Sequence, residues 1–263
     1  MNRYGMLTIL ITSLGLFLFS ACDEPPAEEG LNSIRLGGNC YLEIANTDTL
    51  RQLFMNDFSI EIWVKGDTSL PDTQRTLFMG GNNDGGDELT IFQGADDSSL
   101  IEVYIDDQLF GDFSIPGTDW REPVFHHICV TQSDEVVSFY FDGDQIQSRY
   151  ISGLMLDIGQ SNLLIGGDYN PPGLNAHVGK YWIGNVDEVR LWKRSISASE
   201  VSFHADHPDK LLRHYSAEDL ATLVGLWRFN SEYSDKIPDE SGCGNIMTIR
   251  GIKSRISWAQ SGA

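Results

Sequence analysis

Val136 to Phe141 sets β-branched and aromatic side chains in an unbroken run, Asp142-Gly143 follows, and Gln145 to Tyr150 runs back. That composition suits a strand, and Asp-Gly supplies the positive φ of a tight hairpin turn. In Phe58-Ser59-Ile60-Glu61-Ile62-Trp63-Val64 the apolar residues fall on Phe58, Ile60, Ile62 and Val64. This is the period of a strand with one buried face, and Trp63 then points the other way. Further strand-like segments stand at Thr76 to Met79, Leu89 to Gln93, Leu100 to Ile105, Gln108 to Ile115 and Leu163 to Gly166, with Gly, Asp, Asn and Pro clusters between them. Short strands at regular spacing predict an all-β sandwich or barrel. Two short surface helices are expected late in the chain. Ser197 with Glu200 makes a capping box, and Ser216 with Asp219 makes a weaker one.

Two stretches carry a resemblance. Phe125-His126-His127-Ile128-Cys129-Val130-Thr131 leads to Phe139-Tyr140-Phe141-Asp142-Gly143, and Gly184-Asn185-Val186-Asp187-Glu188-Val189-Arg190-Leu191-Trp192 leads to Ser195-Ile196-Ser197-Ala198-Ser199-Glu200-Val201. They resemble the laminin-G-like, concanavalin A-like jelly-roll domains of bacterial surface proteins. Phe125 stands where those domains usually have Trp, which keeps a large aromatic. The resemblance implies a jelly-roll sandwich of two antiparallel sheets and a domain that binds more often than it catalyses.

Leu223 to Asn230 with Asp239-Glu240-Ser241-Gly242-Cys243-Gly244-Asn245 resembles wording that usually opens such a domain, yet here it comes last. Only 12 residues follow Gly251, whereas a second core usually needs ~50 or more. The segment 223–251 is therefore expected to complete the sheets of one permuted domain over 31–263.

Arg3 precedes an apolar run from Met6 to Phe19, shorter than the ~20 residues of a membrane span and suited to a secretory signal. Ser20-Ala21-Cys22 resembles the lipobox at which a bacterial lipoprotein is cut and lipidated on Cys22, although Phe19 stands where Leu is commonest. The expectation is a signal peptide over 1–21 and a lipid anchor on Cys22. An ordinary signal peptide with an incidental cysteine is the alternative. Residues 22–30 are acidic and Pro-containing, as an extended tether would be. An acidic stretch after the lipidated cysteine also resembles the surface-export signal of Bacteroidota lipoproteins. The resemblance implies an outer-membrane, lipid-anchored protein, with exposure at the cell surface as what the export-signal likeness would add.

Loss of 1–21 removes Arg3, leaving 17 of 18 basic residues against 38 acidic ones, a formal charge of −21. Nucleic acid is an improbable partner, because binding it rests on cations displacing counterions. Adsorption to anionic lipid headgroups is disfavoured likewise.

Cys129 lies inside a strand at a position the family gives to a small apolar residue, so a buried free thiol is expected. Cys40 and Cys243 replace residues the family usually has as Asp and Asn. In an oxidising envelope the pair implies a disulfide, with two unpaired thiols as the alternative. The family often carries one structural calcium, a hard cation held by oxygen ligands. The matching residues are Asp187, Asp239 and Asn245, and a disulfide beside them would replace the metal's stapling role. The acidic loop Asn82 to Glu88 is more simply a solvated turn. The segment Gly167 to Asn175 has a single acid, too few for a pentraxin-like pair of calcium ions.

Relatives with this sandwich include glucanases, whose retaining members need two carboxylates ~5 to 5.5 Å apart. Glu102 and Asp106 share a strand face but lie ~13 Å apart at ~3.3 Å per residue. His126 and His127, adjacent on a strand, point to opposite faces and cannot chelate together. No catalytic residue is assigned. Trp120 and Trp227 are assigned to the core, and Trp182 and Trp192 to packing in or against the sandwich. For a sugar, an aromatic plate beside amide donors is needed, and Tyr169 with Asn175 fits best. The expected function is non-catalytic binding of a glycan. An interaction subunit docking on an envelope protein is the alternative, and a glucanase-type hydrolase is the remaining one.

Overall fold

A computed structural model describes residues 32–71, 73–81, 89–95, 99–105, 108–154, 156, 158, 161–169, 178–211 and 215–260. The chain runs through β1 (Asn32–Gly37), β2 (Cys40–Ile44), α1 (Asp48–Phe54), β3 (Phe58–Gly66), β4 (Arg75–Gly80), β5 (Leu89–Gln93), β6 (Leu100–Ile105) and β7 (Gln108–Ser114). It continues through β8 (His126–Ser133), β9 (Val136–Phe141), β10 (Asp144–Tyr150), β11 (Leu163–Ile165), β12 (Asp168–Tyr169), β13 (Val178–Gly179) and β14 (Ile183–Trp192). Then come α2 (Ala198–Asp206), α3 (Ala217–Leu220), β15 (Leu223–Trp227), β16 (Lys236–Ile237), β17 (Met247–Gly251) and β18 (Ile256–Gln260).

The strands form two large antiparallel sheets. The first runs β10-β9-β8-β3-β14-β1-β18 with β15 also beside β14, and the second runs β16-β17-β2-β11-β4-β5-β6-β7. A two-stranded ribbon of β12 and β13 lies against β4. The jelly-roll sandwich expected from the sequence is what the chain adopts. In the β9–β10 hairpin Asp142 and Gly143 have φ of 48° and 85°, the two positive values a type I′ turn requires.

The alternation read in β3 sets the layers. Phe58, Ile60, Ile62 and Val64 enter the core between the sheets together with Trp120, Trp182 and Trp227. Glu61 and Trp63 face the other way. Trp192 joins a second apolar cluster with Cys129, Tyr140, Ile196, Val201 and Leu226 on the outer side of the first sheet, beneath α2. His126 stacks on Phe141 at 4.9 Å, while His127 lies 4.2 Å from the Trp63 ring. Each histidine is thus packed on its own face.

Both capping boxes are present, Ser197 with Glu200 on α2 and Ser216 with Asp219 on α3. A third helix, α1, departs from the two expected. Thr47 caps it by accepting from Leu50 N, and Leu50, Leu53 and Phe54 turn one face into the core. At seven residues it is held by that packing rather than by intrinsic propensity.

The late chain enters both sheets. β15 pairs with β14 and β18 with β1, while β17 pairs with β2 and β16 with β17. β18 lies beyond Gly251, where no strand is expected from the residue pattern.

The disulfide expected between Cys40 and Cys243 is not formed, and both thiols are free. Cys40 is opposite Gly251 at one end of the β2–β17 ladder, and Ile44 is opposite Met247 at the other. Cys243 precedes Met247, beyond that second end. The ladder alone separates its ends by roughly 13 Å at ~3.3 Å per residue, while a bridge needs Cα atoms within ~7 Å. Cys40 Sγ instead faces the Arg255 carbonyl and Cys243 Sγ the Leu223 carbonyl, each at 3.8 Å. Cys129 is the buried thiol anticipated.

Candidate functional site

The outer face of the second sheet is built by strand alternation. In β2, Cys40, Leu42 and Ile44 are buried, so Tyr41 and Glu43 point outward. Opposite them on β17, Arg250 is in register with Tyr41 and Thr248 with Glu43. The same face carries Thr90 and Phe92 of β5, Glu102 and Tyr104 of β6, and Asp112 of β7.

Three tyrosines gather at the β2 end of this face. The Tyr41 and Tyr181 rings lie 6.3 Å apart, and Tyr169, on β12, is close enough for Tyr41, Glu43 and Arg250 all to act on its hydroxyl. Burial, then the Glu43 charge, raises the pKa of both Tyr41 and Tyr169. Burial likewise raises that of Tyr181. All three stay neutral hydroxyls able to donate and accept.

Glu43 is held from two sides. Arg250 donates Nε to Oε2 at 3.0 Å and Nη2 to Oε1 at 3.1 Å, while Asn162 Nδ2 donates to Oε1 at 2.9 Å. Further along, Lys180 Nζ lies 3.2 Å from Asp168 Oδ2 and 4.3 Å above the Phe92 ring. Phe92 meets Tyr104 edge-on at 5.7 Å. Thr76 Oγ1 and Thr90 Oγ1 are buried on this side without a hydrogen-bond partner. The face therefore offers half-buried aromatic surfaces next to oriented carboxylate, amide and hydroxyl groups, which is what a sugar ring with its hydroxyls requires.

Of the residues singled out from the sequence, Tyr169 is part of this cluster. Asn175 and Cys22 lie outside the described residues, as do Asp106 and the acidic loop from Asn82 to Glu88. Tyr41, Glu43 and Arg250 were not singled out. The alternation Cys40-Tyr41-Leu42-Glu43-Ile44 already marked the first two as outward-facing.

Asp239 and Asn245 do come together, as a clasp for the loop they bound. Asp239 accepts from the backbone N–H groups of Leu226, Ser241 and Asn245. Asn245 donates Nδ2 to the Val224 carbonyl, and its own carbonyl accepts from Trp227 Nε1. Asp187 is buried in β14 and one of its oxygens accepts from Glu188 N. Calcium takes six to eight oxygen ligands, whereas the Asp239 carboxylate is already engaged by three N–H donors. Among the described residues no three His, Cys, Asp or Glu side chains converge as a metal site. This donor set does not fit calcium.

A second concentration of ionisable groups lies under α2. Glu61 Oε2 accepts from Trp192 Nε1 at 2.7 Å, and Oε1 lies 2.8 Å from His204 Nδ1. His127 Nε2 is 3.3 Å from the same oxygen, within ion-pair range but outside hydrogen-bonding geometry. Burial alone would raise the Glu61 pKa, but His204, His127 and Arg190 hold it well below the usual carboxylate range. Glu61 and His204 have no exposed surface. No substrate reaches them, and the cluster fastens the helix to the sheet.

Solved structures share this architecture. A candidate carbohydrate binding protein from Bacteroides ovatus superposes with a TM-score of 0.61 at 14% identity, over 89% of this chain and 61% of that one. The chain thus spans about three-fifths of that protein. A heptameric SAP-like pentraxin from Limulus polyphemus gives 0.54 at 13% identity, over 84% of this chain and 95% of that one. The CBM40 module of the Ruminococcus gnavus IT-sialidase, bound to α2,3 sialyllactose, gives 0.52 at 11% identity, over 66% and 98%. Identities this low establish the fold alone. No curated protein matches the chain by sequence. Residues 36–202 match the family described as the concanavalin A-like lectin/glucanases superfamily, and the chain belongs to it.

Proposed function

We propose that the protein is a non-catalytic, lipid-anchored protein of the outer membrane that binds carbohydrate on the outer face of its second sheet. The observation that carries this reading is the grouping of Tyr41 and Tyr169 around the Glu43–Arg250 pair, with Tyr181 next to Tyr41. It combines stacking surface with fixed hydrogen-bonding groups. The Bacteroides ovatus and Ruminococcus gnavus structures, one a candidate carbohydrate binder and one holding sialyllactose, lend it support through the fold they share. Ser20-Ala21-Cys22 and the acidic tether support the anchor. A glycan array probed with the full-length protein in detergent tests the binding. Binding to no glycan removes this function. Cys22→Ser should release the protein from membranes and end labelling by a fatty-acid analogue; undiminished labelling removes the anchor.

Two other readings have an observation each. β10 ends the first sheet and is exposed along both faces, with Ile146 and Tyr150 outward, an edge to which another chain can add a strand. That favours an interaction subunit, and a stable membrane partner found in the absence of any glycan ligand would select it. Glu102 and Asp112 stand directly opposite each other on β6 and β7, and such pairs have Cβ atoms ~4.5 to 5.5 Å apart. A retaining glycosidase needs two carboxyl groups ~5 to 5.5 Å apart, a range that side chains facing each other across paired strands can reach. Turnover of chromogenic glycosides that is lost in Glu102→Gln would select hydrolysis.

A further inference from the structure

We propose that two copies of this chain pair edge to edge through β10, antiparallel across a two-fold axis at Gln147. β10 ends the first sheet, and six of its seven residues are exposed, with Ile146 at 39% and Tyr150 at 61%. An open strand edge offers its N–H and C=O groups to another strand. Which strand it accepts depends on the side chains set opposite one another.

The bulge in β10 makes this edge complementary to itself. Gln145 faces Tyr140 and Gln147 faces Phe139, so Ile146 is the extra residue. Asp144, Gln147 and Arg149 stand opposite Phe141, Phe139 and Val137 of the core, whereas Gln145 and Ser148 stand on the outer side, bonded to Tyr140 and Ser138. Without the extra residue Asp144 and Arg149 would fall on opposite faces of the strand. With it they share one face. When two copies run antiparallel about Gln147, Asp144 of each stands directly opposite Arg149 of the other, and Gln145 opposite Ser148. The two-fold makes each pair twice.

Asp144 and Arg149 are the only charged residues of β10, and neither has an ion-pair partner among the described residues. Arg149 lies 4.7 Å above the Phe110 ring, held at the rim of the sandwich. The strands that end the sheets elsewhere lack such a match. β7 carries Asp112 alone, β16 Lys236 alone and β18 no charge, so none offers both signs to a copy of itself. The chain as a whole is strongly acidic, at a formal −20, which disfavours non-specific pairing and leaves the local match to set the register.

Sedimentation velocity of the full-length protein in detergent, over a concentration series, should show a dimer. Asp144→Arg and Arg149→Asp each set like charges opposite one another and should weaken dimerisation roughly tenfold or more, while the double reversal restores it. Recovery in the double variant separates a broken interface from a broken fold. Gln147→Cys combined with Cys243→Ser should form a disulfide between copies at position 147, located by peptide mapping. Ser148→Cys in the same background should not, because its counterpart lies across the axis at roughly 8 Å, beyond the ~7 Å a bridge spans. A wild type that stays monomeric throughout overturns the proposal. So does a dimer indifferent to both single reversals, which would place the association in a shared micelle or at another surface.

Discussion

Glu61 Oε1 lies 2.8 Å from Nδ1 of His204, on a helix 143 residues further along the chain. With Trp192 Nε1 on the other oxygen, the carboxylate has partners on both sides inside a fully buried pocket. Removing one member of such a group leaves charge or polar atoms uncompensated. Glu61→Ala should destabilise by ~3 to 5 kcal/mol in urea unfolding, and Glu61→Gln by less because the amide keeps volume and an acceptor. A loss within ~0.5 kcal/mol for the alanine variant, as at an ordinary surface site, would mean that the network does not hold α2.

The capping box of α2 gives a pH signature. Burial pushes the Glu200 carboxyl up, but Arg194 and Ser197 outweigh it and set its pKa at about 2. A folded-state pKa below the unfolded value of ~4.3 stabilises the fold above that value, and the contribution fades as pH falls toward 2. Glu200→Gln never has this contribution. The gap in melting midpoint between wild type and Glu200→Gln should be constant above about pH 5 and close between pH 4 and 2. A gap that widens on acidification would contradict the assignment.

At the tyrosine face, Tyr41→Ala and Tyr169→Ala should each weaken glycan binding by roughly tenfold, ~1.4 kcal/mol, by removing stacking surface. Tyr150→Ala, at the exposed edge of the other sheet, should leave affinity unchanged. Calorimetric titration with the best array ligand reads all three. If both face variants bind as wild type does, the ligand sits elsewhere.

Much of the fold was legible because strand periodicity is a local signal. The alternation in Phe58 to Val64 announced a buried face, and Asp142-Gly143 announced its hairpin. α1 escaped because Thr47 is a modest cap and seven residues barely make a helical pattern. Only the buried positions of Leu50, Leu53 and Phe54 give it a reason to form. The disulfide expectation failed for a geometric reason. Cys40 and Cys243 flank paired strands, but sequence does not show that they lie toward opposite ends of the ladder. The site was half legible. Outward-facing Tyr41 and Glu43 follow from alternation, whereas Arg250 reaches Glu43 only through the register of two strands over 200 residues apart. That pairing is a tertiary fact with no local mark.

The late strands decide whether the sandwich stands as one unit. β15 covers the second half of β14, β17 lies along β2, and β18 closes the edge beyond β1. Trp227 has no exposed surface and donates its indole N–H to the Asn245 carbonyl, joining β15 to the Asp239 loop. Deleting 223–263 would strip β14, β2 and β1 of neighbours and open the core around Trp227, Phe229, Met247 and Ile249. Unpaired backbone and exposed apolar faces are both costly. The truncated chain should aggregate or lose its cooperative melt. Trp227→Ala alone should cost ~3 to 5 kcal/mol as a large core truncation, read as a lower urea midpoint with an unchanged slope. A truncated chain that stays monomeric and melts at the wild-type temperature would show that the strands before Leu223 fold without the late segment.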